Sequence, residues 1–244
     1  MIGRSTGFRL VFVALLVAAM ALAVVVAGDP PDSEINPVTG NIESVDATLE
    51  GGAYQIRHVI DEGPGLPRTV DRLTTSSTPS LDPRIAITSN GDTCVTWWED
   101  AGIDKVLYRR YELASSAWGP IQLVSDLDES SRHPEIVIHG GAIWIAYEIG
   151  VGAATGIAVT SGGDGSDPFP YHNLVANTSF TEEKDTLIHS EADHLWVTWI
   201  DSLSEVGWSA YDAASATWSV PAYESYVADD VDAARERIRS QIVP

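Results

Sequence analysis

The sequence predicts an all-β fold: a β-propeller-like array of about three and a half four-stranded blades, followed by a short C-terminal helix. Three observations carry this expectation. A unit of about 50 residues recurs over 83–126, 134–177 and 185–226. Each copy holds short apolar stretches with period-2 alternation, separated by turns rich in Gly, Asn and Asp. Only residues 227–244 switch to helical spacing. Four short strands in a repeat of that length describe a propeller blade, which buries both faces of its sheet only by stacking on neighbours.

The chain begins with a different signal. Met1 to Arg9 carries Arg4 and Arg9 and no acid, and Leu10 to Ala27 is an unbroken apolar run. A basic start, an apolar run and small residues before a polar break describe a secretory signal peptide, 1–27. The run is also long enough to serve as an N-terminal membrane anchor over residues 10–27, so both readings stand. Residues 28–44, with Pro30, Pro31 and Pro37, read as a linker. Residues 45–78 read as a partial blade, with Ala53 to Ile60 as one of its strands.

Each full repeat opens on a short apolar strand: Arg84 to Ile87, Glu135 to Ile138 and Thr186 to His189. Turns follow at Asn90-Gly91 and Gly140-Gly141, which tolerate the positive φ that tight hairpins require. The second strands match most clearly, as Val95-Thr96-Trp97, Ile145-Ala146-Tyr147 and Val197-Thr198-Trp199. An acid is expected to close each of them: Glu99, Glu148 and Asp201. The stretch Tyr111 to Trp118 matches Tyr211 to Trp218 at an offset of 100 residues, and the middle copy ends instead on Phe169.

These residues resemble the sialidase and neuraminidase-repeat propellers, whose blades carry an Asp box, a Ser-x-Asp-x-Gly-x-Thr-Trp turn. The copies here are degenerate and partial. Asp212 with Thr217-Trp218 keeps the acid, the Thr and the Trp with one extra residue between, Glu112 with Trp118 keeps less, and Asp164-Gly165 with Phe169 stands in the middle copy. The resemblance covers roughly residues 70–226 and implies a structural role for Trp118, Phe169 and Trp218. Trp97, Tyr147 and Trp199 are expected in inter-blade packing. The resemblance also implies, for an active sialidase, three arginines gripping a carboxylate. The family's Arg-Ile-Pro element is absent, and Pro83-Arg84-Ile85 has those letters in another order.

The expectation is therefore an exported, non-catalytic binding or surface-interaction module, with a glycan as the ligand the resemblance implies. A sialidase-type glycoside hydrolase and a truncated product of a longer propeller protein are the alternatives. Glu99, Glu148 and Asp201 should converge on one end of the array. The loops into the next first strands bring Arg132, His133 and Lys184 to that end, and Asp100 follows Glu99 there. These seven residues are the candidate ligand-binding set. No cofactor or metal is expected: Cys94 stands alone, and His58, His133, His139, His172, His189 and His194 show no paired metal spacing. The 35 Asp and Glu against 14 Lys and Arg, a net charge of −21, argue against nucleic acid or an anionic membrane surface as partner. A membrane would be met only through the N-terminal segment. An open arc leaves apolar blade faces at its ends, so either a second copy closing a ring or N-terminal strands are expected to cover them.

Overall fold

Four antiparallel sheets stack side by side in the computed structural model, which describes residues 32–125, 128–151, 154–162, 169, 172–177, 183–201, 205–225 and 230–243. The expected signal peptide lies outside these residues, as does the Asp164-Gly165 turn. Blade one is β1 (Asp32–Ile35), β2 (Ile42–Glu50), β3 (Ala53–Asp61) and β4 (Arg68–Arg72). Blade two is β5 (Ser80–Ile87), β6 (Thr93–Glu99), β7 (Lys105–Glu112) and a broken fourth strand, β8 (Ala117–Trp118) and β9 (Gln122–Leu123). Blade three is β10 (Ser131–His139), β11 (Ala142–Val151), β12 (Ala154–Gly162) and β13 (His172–Asn177). Blade four is β14 (Glu183–Glu191), β15 (His194–Asp201), β16 (Glu205–Asp212) and again a broken fourth strand, β17 (Thr217–Trp218) and β18 (Ala222–Ser225). Every blade is an up-and-down meander, and among the described residues no strand of blade one pairs with a strand of blade four.

The segment expected as a linker over 28–44 holds β1 and the start of β2, so the partial blade is a complete one. Its first strand was invisible to periodicity because its side chains serve hydrogen bonds rather than a core. Asp32 accepts from the Ile85 amide at 2.9 Å and Glu34 from the Ile87 amide at 3.1 Å, capping the free edge of β5.

Among the described residues three buried clusters each lie between two blades, the arrangement that stacking demands. Val45, Ile56 and Leu73 of blade one meet Ile85, Val95 and Trp97 of blade two. Cys94, Trp98 and Tyr108 of blade two meet Ile136, Ile145, Tyr147 and Phe169 of blade three. Trp144, Ile157 and Val159 of blade three meet Ile188, Val197 and Trp199 of blade four. The aromatics that begin the fourth strands reach back to the preceding blade: Phe169 packs edge-on to Tyr108 and Trp218 to Trp144. Trp118 does the same with polar partners, its indole N–H donating to Asp71 at 3.1 Å while its ring meets His58.

A polar pin also joins blades one and two. Glu43 accepts from Asn36 at 2.7 Å, contacts His58 at 2.8 Å and accepts from the Thr93 hydroxyl, all four residues being buried. A buried carboxylate persists only when hydrogen-bonded in this way, and these partners hold Glu43 below the usual carboxylate range against the effect of burial.

The C-terminal residues form α1 (Val231–Ile242). Its apolar stripe, Val231, Ala234, Ile238 and Ile242, covers Val206 and Trp208 of β16 on the outer face of blade four. Asp230 is the N-cap residue, but its side chain makes no capping hydrogen bond. A helix of 12 residues is marginal alone, so docking accounts for its stability.

Candidate functional site

The first strand of each repeat is interrupted at one place. Between Leu81 and Arg84 two residues of β5 face the single residue Trp97. The same β-bulge recurs between Arg132 and Glu135 opposite Tyr147, and between Lys184 and Leu187 opposite Trp199. Its first residue is Asp82, His133 or Asp185, each with left-handed backbone, φ 46°, 48° and 51°. Asp and His both occur in this region more often than most residues. Its second residue is Pro83, Pro134 or Thr186. A proline costs the ladder nothing there, because the bulge leaves that N–H without a partner. Strained residues of this kind, repeated at one level of adjacent blades, gather polar groups where side chains would otherwise pair.

Asp82 and His133 meet across the junction of blades two and three, with His133 Nδ1 2.7 Å from Asp82 Oδ2. The Trp98 indole N–H donates to the same oxygen at 2.9 Å. This contact with His133 holds the Asp82 carboxyl below the usual range, and it raises the imidazole in turn. The Arg132 guanidinium lies 5.2 Å from the Trp98 ring centroid and donates to Asp104, which also accepts from the Ser130 hydroxyl at 2.7 Å. Arg132 and His133 are about half exposed, at 49% and 51%, while Asp104 is buried at 2%. One strand position further in, Arg84 donates to Glu135 at 2.8 Å from the equivalent place in the neighbouring blade. Burial raises Glu135 despite that partner. At the next junction Glu148 accepts from the Asp185 amide at 3.0 Å.

The seven expected residues do not all meet here. Arg132, His133 and Glu148 belong to the cluster. Asp201 ends β15 and is buried, accepting from the Glu205 amide at 3.0 Å, and Glu99 accepts from Ser80 at 3.3 Å. Asp100 is exposed in the turn after β6. Lys184 pairs with Ile200 by its backbone, and its side chain lies outside the described residues. The expected equivalence of Glu99, Glu148 and Asp201 is corrected. Strand β11 runs on past Glu148, and Ile149 faces Ser131 as Glu99 faces Ser80 and Asp201 faces Glu183. Glu148 therefore shares the position of Trp98 and Ile200, on the other face. The likeness of letters concealed a slip of one residue, which in a strand reverses the side.

Asp82, Trp98, Asp104 and Asp185 were missed. Asp82-Pro83 and His133-Pro134 were the available signal: an acid or imidazole before proline, at matching positions, marks the bulge. Cys94 is buried against the Tyr108 hydroxyl at 3.3 Å, and burial pushes its thiol up to about 11, so it is no nucleophile. No group of His, Cys, Asp and Glu among the described residues is arranged to hold a metal ion, and none of the described helices is long and apolar enough to cross a membrane.

No protein-family model matches the chain, and no curated protein matches its sequence. Solved structures do match. The Hadza microbial sialidase Hz136 aligns with a TM-score of 0.58 at 10% identity, over 78% of this chain and 45% of that one. The NanB sialidase of Streptococcus pneumoniae, solved with 2-[(3-chlorobenzyl)ammonio]ethanesulfonate, aligns with a TM-score of 0.51 at 10% identity, over 70% of this chain and 28% of that one. A thermostable family-43 glycoside hydrolase aligns with a TM-score of 0.48 at 12% identity, over 82% and 72% of the two chains. The chain thus spans less than half the length of the two sialidases. At this identity the likeness concerns the fold: an all-β, propeller-like array of four-stranded sheets, of the kind found in sialidases.

Proposed function

We propose that this chain is an exported, non-catalytic glycan-binding module whose ligand site is the bulge cluster at the junction of blades two and three. The observation that supports it is the pairing of Asp82 with His133 on two adjacent bulges, beside Trp98 and the half-exposed Arg132. A carboxylate and an imidazole offer acceptors and donors to sugar hydroxyls, and the His133 ring, 6.0 Å from that of Trp98, offers an apolar face. Export rests on the residues expected as a signal peptide, with retention as an anchor the alternative. The turns after β7 and β16 fit degenerate Asp boxes in this reading: Asp212 accepts from the Ala214 amide at 2.9 Å and the Ser215 hydroxyl at 2.7 Å.

The reading is tested on a panel of immobilised neutral, amino and carboxylated glycans, with export assayed by fractionation. The wild-type chain is expected to retain at least one class, and Asp82→Asn or His133→Gln to weaken that binding by about tenfold, the worth of one or two lost hydrogen bonds. No retention of any glycan, or full retention by both variants, contradicts it.

A hydrolytic reading has one observation in its favour. Asp82 and Glu135, on adjacent first strands, have carboxyl groups shifted in opposite directions, as a base and an acid would be. Turnover of a fluorogenic sialoside that is lost in both Asp82→Asn and Glu135→Gln would establish that reading and displace the non-catalytic one.

A further inference from the structure

We infer that helix α1 is joined to the glycan site: Arg235 is a positioning residue that holds the bulge of blade four and, through it, Glu148 beside His133. The inference rests on the proposed site and concerns what keeps that site in shape. The bulges of blades two and three are tied by their own side chains, Asp82 to His133. The bulge of blade four is held differently. Its first residue, Asp185, is exposed and stands at φ 51°. A non-glycine residue in that region persists only where its surroundings fix it. Here the backbone is gripped from two sides. The Asp185 N–H donates to Glu148 of blade three at 3.0 Å, and its carbonyl accepts from Arg235 of α1 at 2.9 Å.

The other arginines of α1 hold the helix elsewhere. Arg239, one turn after Arg235, donates to both oxygens of Glu191 at 2.6 and 2.5 Å, at the far end of β14. Arg237 donates to Glu224 of β18. Among the described residues, Arg235 is the arginine of α1 that reaches a bulge.

Glu148 carries the connection into the site. It stands opposite Arg132 in the β10–β11 ladder, next to His133 in sequence on that strand. The hydrogen bond to Asp82 raises the His133 imidazole first, burial opposes it, and the Glu148 charge raises it further against Arg132. Only the protonated ring donates from both nitrogens. With Nδ1 turned to Asp82, that state leaves the Nε2 proton for a sugar hydroxyl. The docking of α1 thus bears on the donor that the ligand meets.

The test follows His133 and His189 by NMR titration in the whole chain, as wild type, Arg235→Gln, Glu148→Gln, the double variant and Arg237→Gln. His189 meets Arg235 from α1, near the Arg239–Glu191 pair at the end of β14, and reports the local change. Its midpoint should rise from about 4 in Arg235→Gln, since Arg235 adds to the effect of burial in holding it down. The His133 midpoint should fall in both Arg235→Gln and Glu148→Gln, and the double variant should fall no further than Glu148→Gln alone, because the two act through one contact. Arg237→Gln should leave His133 unmoved. A His133 midpoint indifferent to Arg235→Gln, additive shifts, or an equal shift in Arg237→Gln overturns the inference. Coupling is reciprocal, so Glu148→Gln, which leaves the helix sequence intact, should also speed amide exchange in α1; unchanged exchange counts against the inference even where Arg235→Gln fails to fold. The tightest-binding glycan of the panel should bind Arg235→Gln about three- to tenfold more weakly. Equal affinity overturns the link to binding. If no glycan binds the wild-type chain, the proposed function falls, while the titrations still decide whether α1 acts on His133.

Discussion

Gly207 faces Trp199 directly across the β15–β16 ladder, and a Cβ on it would come within 2.2 Å of the indole. The corresponding partners of Trp97 and Tyr147 are Leu107 and Ala158, so this absence of a side chain answers one blade's packing rather than a rule of the repeat. Gly207→Ala should lower stability by about 1–3 kcal/mol, the cost of forcing a packed aromatic aside, read as the midpoint of urea unfolding. Two histidines should leave opposite marks on the pH dependence of stability. His189, stacked on Trp196, is pushed down to about 4, first by burial and then by Arg235. The unfolded chain binds its proton near pH ~6.5, so the stability His189 contributes is full above that pH and is lost as pH falls toward 4. His133 is raised by its hydrogen bond to Asp82, so its contribution is full below about pH 6.5 and is lost as pH rises through the raised value. Asp82, held low by the same contact, contributes above about pH 3.9 and loses that contribution as pH falls through its lowered value. His189→Gln should therefore flatten the acid limb of a melting-temperature profile, and His133→Gln should cost most below about pH 6.5 and least once the pH has risen through the raised value.

The elements were unequally legible. Strands β6, β11 and β15 announced themselves because one face of each carries a large apolar residue at alternate positions, ending on Trp97, Tyr147 or Trp199. Those aromatics also stand opposite the three bulges, so the clearest repeat signal and the candidate site share a level in the blade. The sequence showed the aromatic and hid the bulge, because a bulge changes the count on the partner strand and leaves no mark on periodicity. For that reason β14 was placed one residue off the other first strands. Strand β1 was hidden by its acids, which cap backbone amides. Helix α1 was legible from the helical spacing within 227–244, and Ile238 of its apolar stripe is wholly buried. Ile238→Ala should cost about 2–5 kcal/mol and expose Val206 and Trp208 of β16, measurable as earlier unfolding of blade four by hydrogen exchange.

At the scale of the whole described array, the two end blades are finished differently. The outer face of blade four is covered by α1. The outer face of blade one is a mixed surface, where Ile42 and Val70 alternate with the Arg57–Asp46, Arg68–Asp61 and Arg72–Glu50 pairs. Surface pairs of this kind contribute little stability each but keep an exposed sheet face wet. The apolar outer face of blade four is thus covered from within the chain, by Val231, Ala234, Ile238 and Ile242 over Val206 and Trp208. The candidate site was readable only in part, as Arg132, His133 and Glu148, since Asp82, Asp104 and Asp185 are acids that no pattern within one repeat distinguishes from ordinary turn acids, and Trp98 stands beside the more regular Trp97. Its assignment is tested most directly by following the indole N–H resonances of the eight tryptophans as the tightest-binding glycan from the panel is added. Trp98 is expected to move most, together with the His133 ring, while Trp208 beneath α1 stays in place. Saturating binding that leaves Trp98 and His133 unmoved would contradict it.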